Sequence, residues 1–166
     1  MEDFVALIVS FVIIMGLINL YKTKNSQVKY VKADLYNDDK NQYLCRTNKG
    51  TIKNDKLHDS QAGANALSFI RGNLIILVKE VDEIYKGKNK DITLEEINKD
   101  GIKEGEIKML IDRFDPDNIS ESTPSDKYTS YSVNKGEKII FCIRSKKDYK
   151  IIDPNTLMFV SIHELA

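Results

Sequence analysis

The residues with the most specific chemistry are His163 and Glu164, in the run "SIHELA". A histidine on a helix can bind Zn²⁺, and a glutamate at the next position can take a proton from a water bound to the metal. Zinc lowers the pKa of that water to about 7, so hydroxide can attack a peptide carbonyl at neutral pH. His163 is therefore the candidate metal ligand, and Glu164 is the candidate catalytic base.

This chemistry needs more ligands than the sequence supplies. In the spacing His-Glu-x-x-His, the second histidine would fall at position 167, one beyond the 166 residues. Catalytic zinc sites use three protein ligands and one open position. The other histidine, His58, lies in a polar stretch and is a poor substitute, because metal sites need fixed geometry. We expect zinc in a complete protein, and we do not expect this chain to hold it.

The helix that carries the pair has a clear predicted start. Asp153 stands at an N-cap position and Pro154 at the first helical position, where its fixed φ suits the helix. The run "EKIIFCIRS" (137–145) predicts a mostly buried strand just before it, and "YKIID" (149–153) is a candidate partner for that strand. The sequence thus predicts a strand, a short turn and a helix ending at His163 and Glu164.

This order of elements, with "FVSIHELA" at its end, resembles the active-site helix of the HExxH zinc metallopeptidases (zincins). The run "TSYSVNKGEKIIFCIRSK" looks like their substrate-side strand, and the whole is similar to WLM-like and SprT-like metalloproteases, including membrane-anchored relatives in large DNA viruses. The resemblance covers roughly residues 129–166 and is only architectural before them. It implies that His163 is the first zinc-binding histidine, that Glu164 is the general base and that the substrate is a peptide or protein.

The remainder of the chain predicts an α+β domain. Two short runs around a turn-rich stretch predict a β-hairpin, a long apolar repeat predicts the main packing helix, two shorter helices follow, and a polar loop of about twenty residues comes before the final strand. The expected bounds are strands at 28–34 and 42–47, helices at 60–87, from Thr93, and at 103–114, and the loop at 115–136.

Two details of the main helix can be tested. Asp59 or Ser60 can cap its start and Gly87 can end it. Gly63 and Gly72 each weaken a helix by up to about 1 kcal/mol relative to alanine. We therefore expect another element to pack closely against both glycines.

The N-terminal run Phe4–Tyr21 holds 18 residues without a charge, which is about 27 Å of helix. We expect a transmembrane anchor at 1–21, a stalk at 22–27 and a domain at 28–166, so the membrane is an expected partner. Lysines only after the run predict that the N-terminus is outside and the domain cytoplasmic or inside a virion. A cleaved signal peptide fits less well, because the residues before the run are acidic. A buried core helix also fits less well, because the run shows no polar face.

Composition narrows the partners further. The chain has 25 basic and 25 acidic residues, so its formal net charge of +0 argues against nucleic acid as a partner. Cys45 and Cys142 predict two buried, reduced thiols. A disulfide, or glycosylation of Asn118 in "NIS", would require the opposite membrane topology.

Three functions stay open at this point. The first is a membrane-anchored zinc metallopeptidase whose sequence is interrupted by a split gene, a frameshift or fragmentation. The second is a non-enzymatic membrane-anchored binding or structural protein that retains a degenerate zincin fold. The third is a single-span accessory protein unrelated to peptidases.

Overall fold

The computed structural model describes residues 2–24, 28–34, 42–47, 59–89, 92–99, 101–123 and 129–165, and these form an α+β protein. In chain order the elements are α1 (Glu2–Lys24), β1 (Val28–Lys32), β2 (Gln42–Arg46), α2 (Ser60–Tyr85), α3 (Leu94–Lys99), α4 (Glu104–Arg113), β3 (Ile119–Glu121), β4 (Tyr131–Val133), β5 (Lys138–Phe141) and α5 (Pro154–Leu165). The α+β class, the main helix and the helix that carries the candidate residues are confirmed.

The strands form two small sheets. β1 and β2 pair antiparallel with Val28 opposite Arg46, so the predicted hairpin is confirmed. The second sheet has the order β3-β5-β4, in which β3 runs parallel to β5 and β4 runs antiparallel to it. β4 therefore lies at an edge of this sheet, and β5 lies in its centre.

The predicted polar loop at 115–136 is wrong in part, because β3 and β4 lie within it. Each strand has only three residues, which is too short to show an alternating apolar pattern in the sequence. Ile119 and Glu121 are nevertheless buried, because β3 is covered through its pairing with β5 and its position beside β2. Tertiary packing rather than local pattern makes these residues strands.

Helix α2 is the main packing helix of the core. The Asp59 carboxylate accepts hydrogen bonds from the amides of Gln61 and Ala62, each at 3.0 Å, and Gly87 adopts φ +67° just after the helix. The buried face of α2 packs against both sheets and α5. The core comprises Ala33, Tyr43, Cys45, Ala64, Leu67, Ile70, Leu74, Val78, Ile119, Ile139, Phe141, Ile143, Leu157 and Leu165.

A buried carboxylate links four parts of this core. Glu121 of β3 accepts from Arg144 Nε at 2.6 Å and from the Arg46 backbone amide at 2.9 Å, and it is only 2% exposed. Arg144 also donates to the carbonyl of Asp59 at the start of α2, at 2.9 Å. One ion-pair network thus joins β2, β3, the start of α2 and the segment after β5.

Because Gly63 has no side chain, Arg144 and Glu121 can lie close to the backbone of α2. A Cβ at Gly63 would lie 2.7 Å from Arg144 Nη2 and 3.2 Å from Glu121 Oε2. The expected close packing is therefore confirmed at Gly63. It is wrong at Gly72, where a Cβ would meet no atom of the described residues within 4 Å.

The N-terminal prediction requires correction. Across the residues that the structure describes, none of the helices combines the length and the apolar character needed to span a bilayer. The predicted anchor at 1–21 is wrong for the described part of the chain, and with it the placement of an external N-terminus and a cytoplasmic domain.

The predictions for the stalk and for the two cysteines are confirmed only in part. The expected stalk at 22–27 begins inside α1, which runs to Lys24, and residues 25–27 lie outside the described part. Both cysteines are free thiols, as expected, but only Cys45 is buried and Cys142 is half-buried.

Replacing Glu121 should destabilise the fold. Glu121→Gln leaves the Arg144 and Arg46 guanidinium groups without a charged partner in a buried site, which costs about 3 to 5 kcal/mol. Urea unfolding should measure this loss. The matched control is Asp82→Asn, which removes the more exposed pair with Lys86 and should cost less than about 1 kcal/mol. Equal unfolding midpoints for the two variants would contradict the structural role of Glu121.

The two helical glycines should respond in opposite directions to alanine. Gly63→Ala forces the added methyl against the pinned Arg144 side chain and should destabilise by about 1 to 3 kcal/mol. Gly72→Ala adds a methyl in open space and should stabilise the helix by up to about 1 kcal/mol. Thermal unfolding of both variants tests this. A stabilised Gly63→Ala protein would refute the close approach.

Candidate functional site

Helix α5 starts at a fully formed cap. The Asp153 carboxylate accepts from the amides of Asn155 and Thr156, at 3.0 and 3.1 Å, and from the Thr156 hydroxyl. The hydroxyl of Thr156, and then its amide, hold the pKa of Asp153 below its usual range. The predicted Asp-Pro helix start is confirmed.

The segment between β5 and α5 folds back on itself. Arg144 and Ile151 form an antiparallel bridge, and the Ile152 amide donates to the Ile143 carbonyl at 2.9 Å. The predicted pairing of 149–153 with the strand is therefore present, but as a single bridge rather than a ladder. Because Arg144 is also held by Glu121, the buried network fixes the point from which α5 begins.

The inner face of α5 packs on the core. Leu157, Ser161 and Leu165 are buried, and the Ser161 hydroxyl donates back to the Leu157 carbonyl at 2.7 Å. The four-residue spacing of these positions places them on one side of the helix. Through this inner face α5 packs on the core, and α5 contacts α2 directly.

The candidate residues lie at the far end of α5. His163 is exposed on the outer side of the helix, and Glu164, one position later, is half-buried. The structure thus brings the two predicted site residues together on one helical turn. His58, the weak substitute ligand, lies outside the described residues.

The turn between β4 and β5 supports the end of α5. This turn uses positive φ at three successive residues, ending with Gly136 at φ +100°. A Cβ at Gly136 would lie 3.4 Å from Leu165 Cδ2, one residue beyond Glu164. The hairpin of β4 and β5 therefore holds the part of α5 that carries the candidate residues.

The residues described here supply few metal ligands. Within the ranges that the structure covers, no group of three or more His, Cys, Asp or Glu side chains could hold a metal ion. His163 is thus a single imidazole on an exposed face. Additional ligands would have to come from outside the described residues.

Two features of this part of the fold have no clear signal in the sequence. The first is the Glu121–Arg144–Arg46 network, whose only sequence signal is an arginine inside an otherwise apolar strand-like run. The second is a groove of about 510 Å³ between the starts of α2 and α5, lined by residues such as Gln61, Phe69 and Ile152. Its walls come from distant parts of the chain, so no local pattern could predict it.

These observations define an α+β protein with a His-Glu pair at the end of a capped helix that follows a mixed three-stranded sheet. No protein-family model and no solved structure matches the chain. The chain is 30% identical over 162 residues to an uncharacterized protein of Acanthamoeba polyphaga mimivirus. The match spans 98% of the chain and 69% of the relative. The chain belongs to the same family as this mimivirus protein.

The cap of α5 should make the stability of this helix depend on pH. Because the pKa of Asp153 is lowered on folding, its contribution is present above about pH 4 and is lost as the pH falls through the lowered value. Asp153→Ala should weaken hydrogen-exchange protection of α5 at pH 7, with the difference from wild type shrinking as the pH falls below about 4.

The control is Asp112→Ala, which removes an exposed carboxylate of α4. It should leave the protection of α5 unchanged at both pH values. If Asp153→Ala lowered protection equally at pH 7 and well below pH 4, the ionised cap would not be the cause.

Proposed function

We propose that this chain carries the first part of a zinc-peptidase site, with His163 as a metal ligand and Glu164 as the general base for peptide-bond hydrolysis. The observation that carries the proposal is the position of the pair. His163 is exposed and Glu164 is half-buried on the last turn of α5, a helix whose start is fixed by the Asp153 cap and by the bridge to Arg144.

The sheet beside α5 is consistent with a peptide substrate. β4 is the edge strand of the sheet β3-β5-β4, and α5 contacts β4. An extended peptide can bind by adding a strand to a sheet edge, with backbone hydrogen bonds supplying affinity. A peptide placed along β4 would run close to the helix that carries His163 and Glu164.

Peptide-bond hydrolysis at such a site would need both a zinc ion and a residue of the chain. Zn²⁺ would polarise the attacking water and the scissile carbonyl. Glu164 would take the proton of the attacking water as general base. The described residues do not by themselves fit a zinc ion, because they offer His163 without two further ligands. Peptidase activity therefore depends on residues outside the described ranges.

A second candidate function is a non-enzymatic binding or structural protein in which the His-Glu pair has no metal. The absence of a three-ligand group among the described residues favours it for this chain taken alone. The two functions predict different zinc contents. The relevant protein is the one expressed with the codons that follow the codon for Ala166.

Metal analysis can decide between them. The 166-residue chain should contain no stoichiometric zinc, whereas the protein expressed with its downstream codons should contain one zinc per chain and should cleave a casein-type substrate. His163→Ala should abolish zinc binding. Glu164→Gln should keep the zinc and lower kcat by about 10²-fold or more, since a general base contributes on that scale.

His58→Ala is the matched histidine control and should retain both zinc and activity. An extended protein without zinc, or a stop codon directly after that for Ala166 in a zinc-free protein, would reject the peptidase and leave the binding protein.

A further inference from the structure

Helix α1 exposes a run of large apolar side chains, each between 43% and 68% accessible. They are Ile8, Val9, Phe11, Val12, Ile13, Ile14, Met15, Leu17, Ile18 and Leu20. In the described part of the chain, none of the core residues comes from this helix. Exposed apolar surface of this extent marks an interaction site.

The exposed side chains lie on every side of α1. An α-helix completes one turn in 3.6 residues, so the successive exposed residues 11–15 alone go all the way round it. A groove on another protein would cover one side of such a helix. A bundle of like helices covers several sides, because each helix packs against more than one neighbour.

The apolar area of α1 is large enough for a stable association. Burial removes roughly 60 to 100 Å² of apolar surface for a side chain of this size. The exposed side chains of α1 together therefore offer on the order of 600 to 1,000 Å². A stable contact between separate proteins buries about 800 Å² on each partner. α1 alone thus supplies the area that a contact between copies of the chain needs.

The two ends of α1 carry opposite charges. The helix begins with Glu2 and Asp3 and ends near Lys22 and Lys24, and residues 4–21 carry no charge. In two antiparallel copies, the acidic end of one helix lies beside the basic end of the other, and the helix dipoles also run in opposite directions. A parallel pair would bring like charges together at both ends.

We propose that α1 is a self-association surface, which packs antiparallel against α1 of other copies of this chain. Antiparallel packing relates the copies by a two-fold axis, so the closed assembly contains an even number of chains. The proposal concerns α1 and does not depend on zinc or on peptidase activity.

Sedimentation equilibrium of the full chain tests the association. The wild-type protein should have an even multiple of the mass of one chain. Val12→Glu places a charge among the apolar side chains and should raise the dissociation constant by at least about tenfold, because an unpaired charge is costly to bury. Ile76→Glu is the matched control, since Ile76 is 61% exposed on α2, and it should leave the dissociation constant unchanged.

Charge changes at the helix ends test the orientation. A variant with Glu2→Lys and Asp3→Lys is basic at both ends of α1, and a variant with Lys22→Glu and Lys24→Glu is acidic at both ends. Each variant alone should associate several-fold more weakly than the wild type, and an equal mixture of the two should recover the association. These variants keep every apolar side chain, so they test the proposal even if Val12→Glu disturbs the helix.

The proposal fails if the wild-type chain is monomeric over the whole concentration range, or if Val12→Glu and Ile76→Glu associate equally well. End-charge variants that associate as strongly as the wild type would reject the antiparallel orientation. Flotation with phosphatidylcholine vesicles gives the remaining test. The assembly should stay in the aqueous fraction, whereas monomeric chains carried up with the vesicles would make a lipid surface the partner of α1 and overturn the proposal.

Discussion

The fold depends on one buried carboxylate between two arginines. Glu121 is almost fully enclosed, and it is held by Arg144 and by the amide of Arg46, so removing any one partner would leave an uncompensated charge in the core. Such a network adds little net stability compared with an apolar core. Any other packing that buries one of these charges without its partner, however, has a higher free energy. It thereby fixes the relative positions of β2, β3, the start of α2 and the segment after β5.

The same network determines where the candidate site can be. Arg144 is both a member of the ion-pair network and one half of the bridge to Ile151, two residues before the Asp153 cap. The position of α5 is therefore set at its beginning by charge and hydrogen bonding, along its length by Leu157 and Leu165, and at its end by the turn at Gly136. His163 and Glu164 are positioned by contacts that lie up to a helix length away from them.

Much of the local structure could be predicted, because its causes are local. The Asp153 cap, the Asp59 cap and the hairpin of β1 and β2 follow from hydrogen-bonding side chains and turn residues within a few positions of each other. β3 and β4 could not be predicted, since three-residue strands have no detectable period and are stabilised by a partner from elsewhere in the chain. The N-terminal prediction is wrong, because none of the helices in the described part of the chain is both long and apolar enough to cross a membrane.

The sequence by itself determined that an α+β chain ends with a capped helix bearing a histidine and a glutamate, because capping and helical periodicity act over three or four residues. Only the tertiary structure decided that His163 is exposed, that Gly63 must lack a side chain while Gly72 need not, and that Glu121 is a buried member of the core. The physical reason is that burial depends on what distant segments bring to the same place. Residue spacing along the chain does not predict which distant segments come into contact.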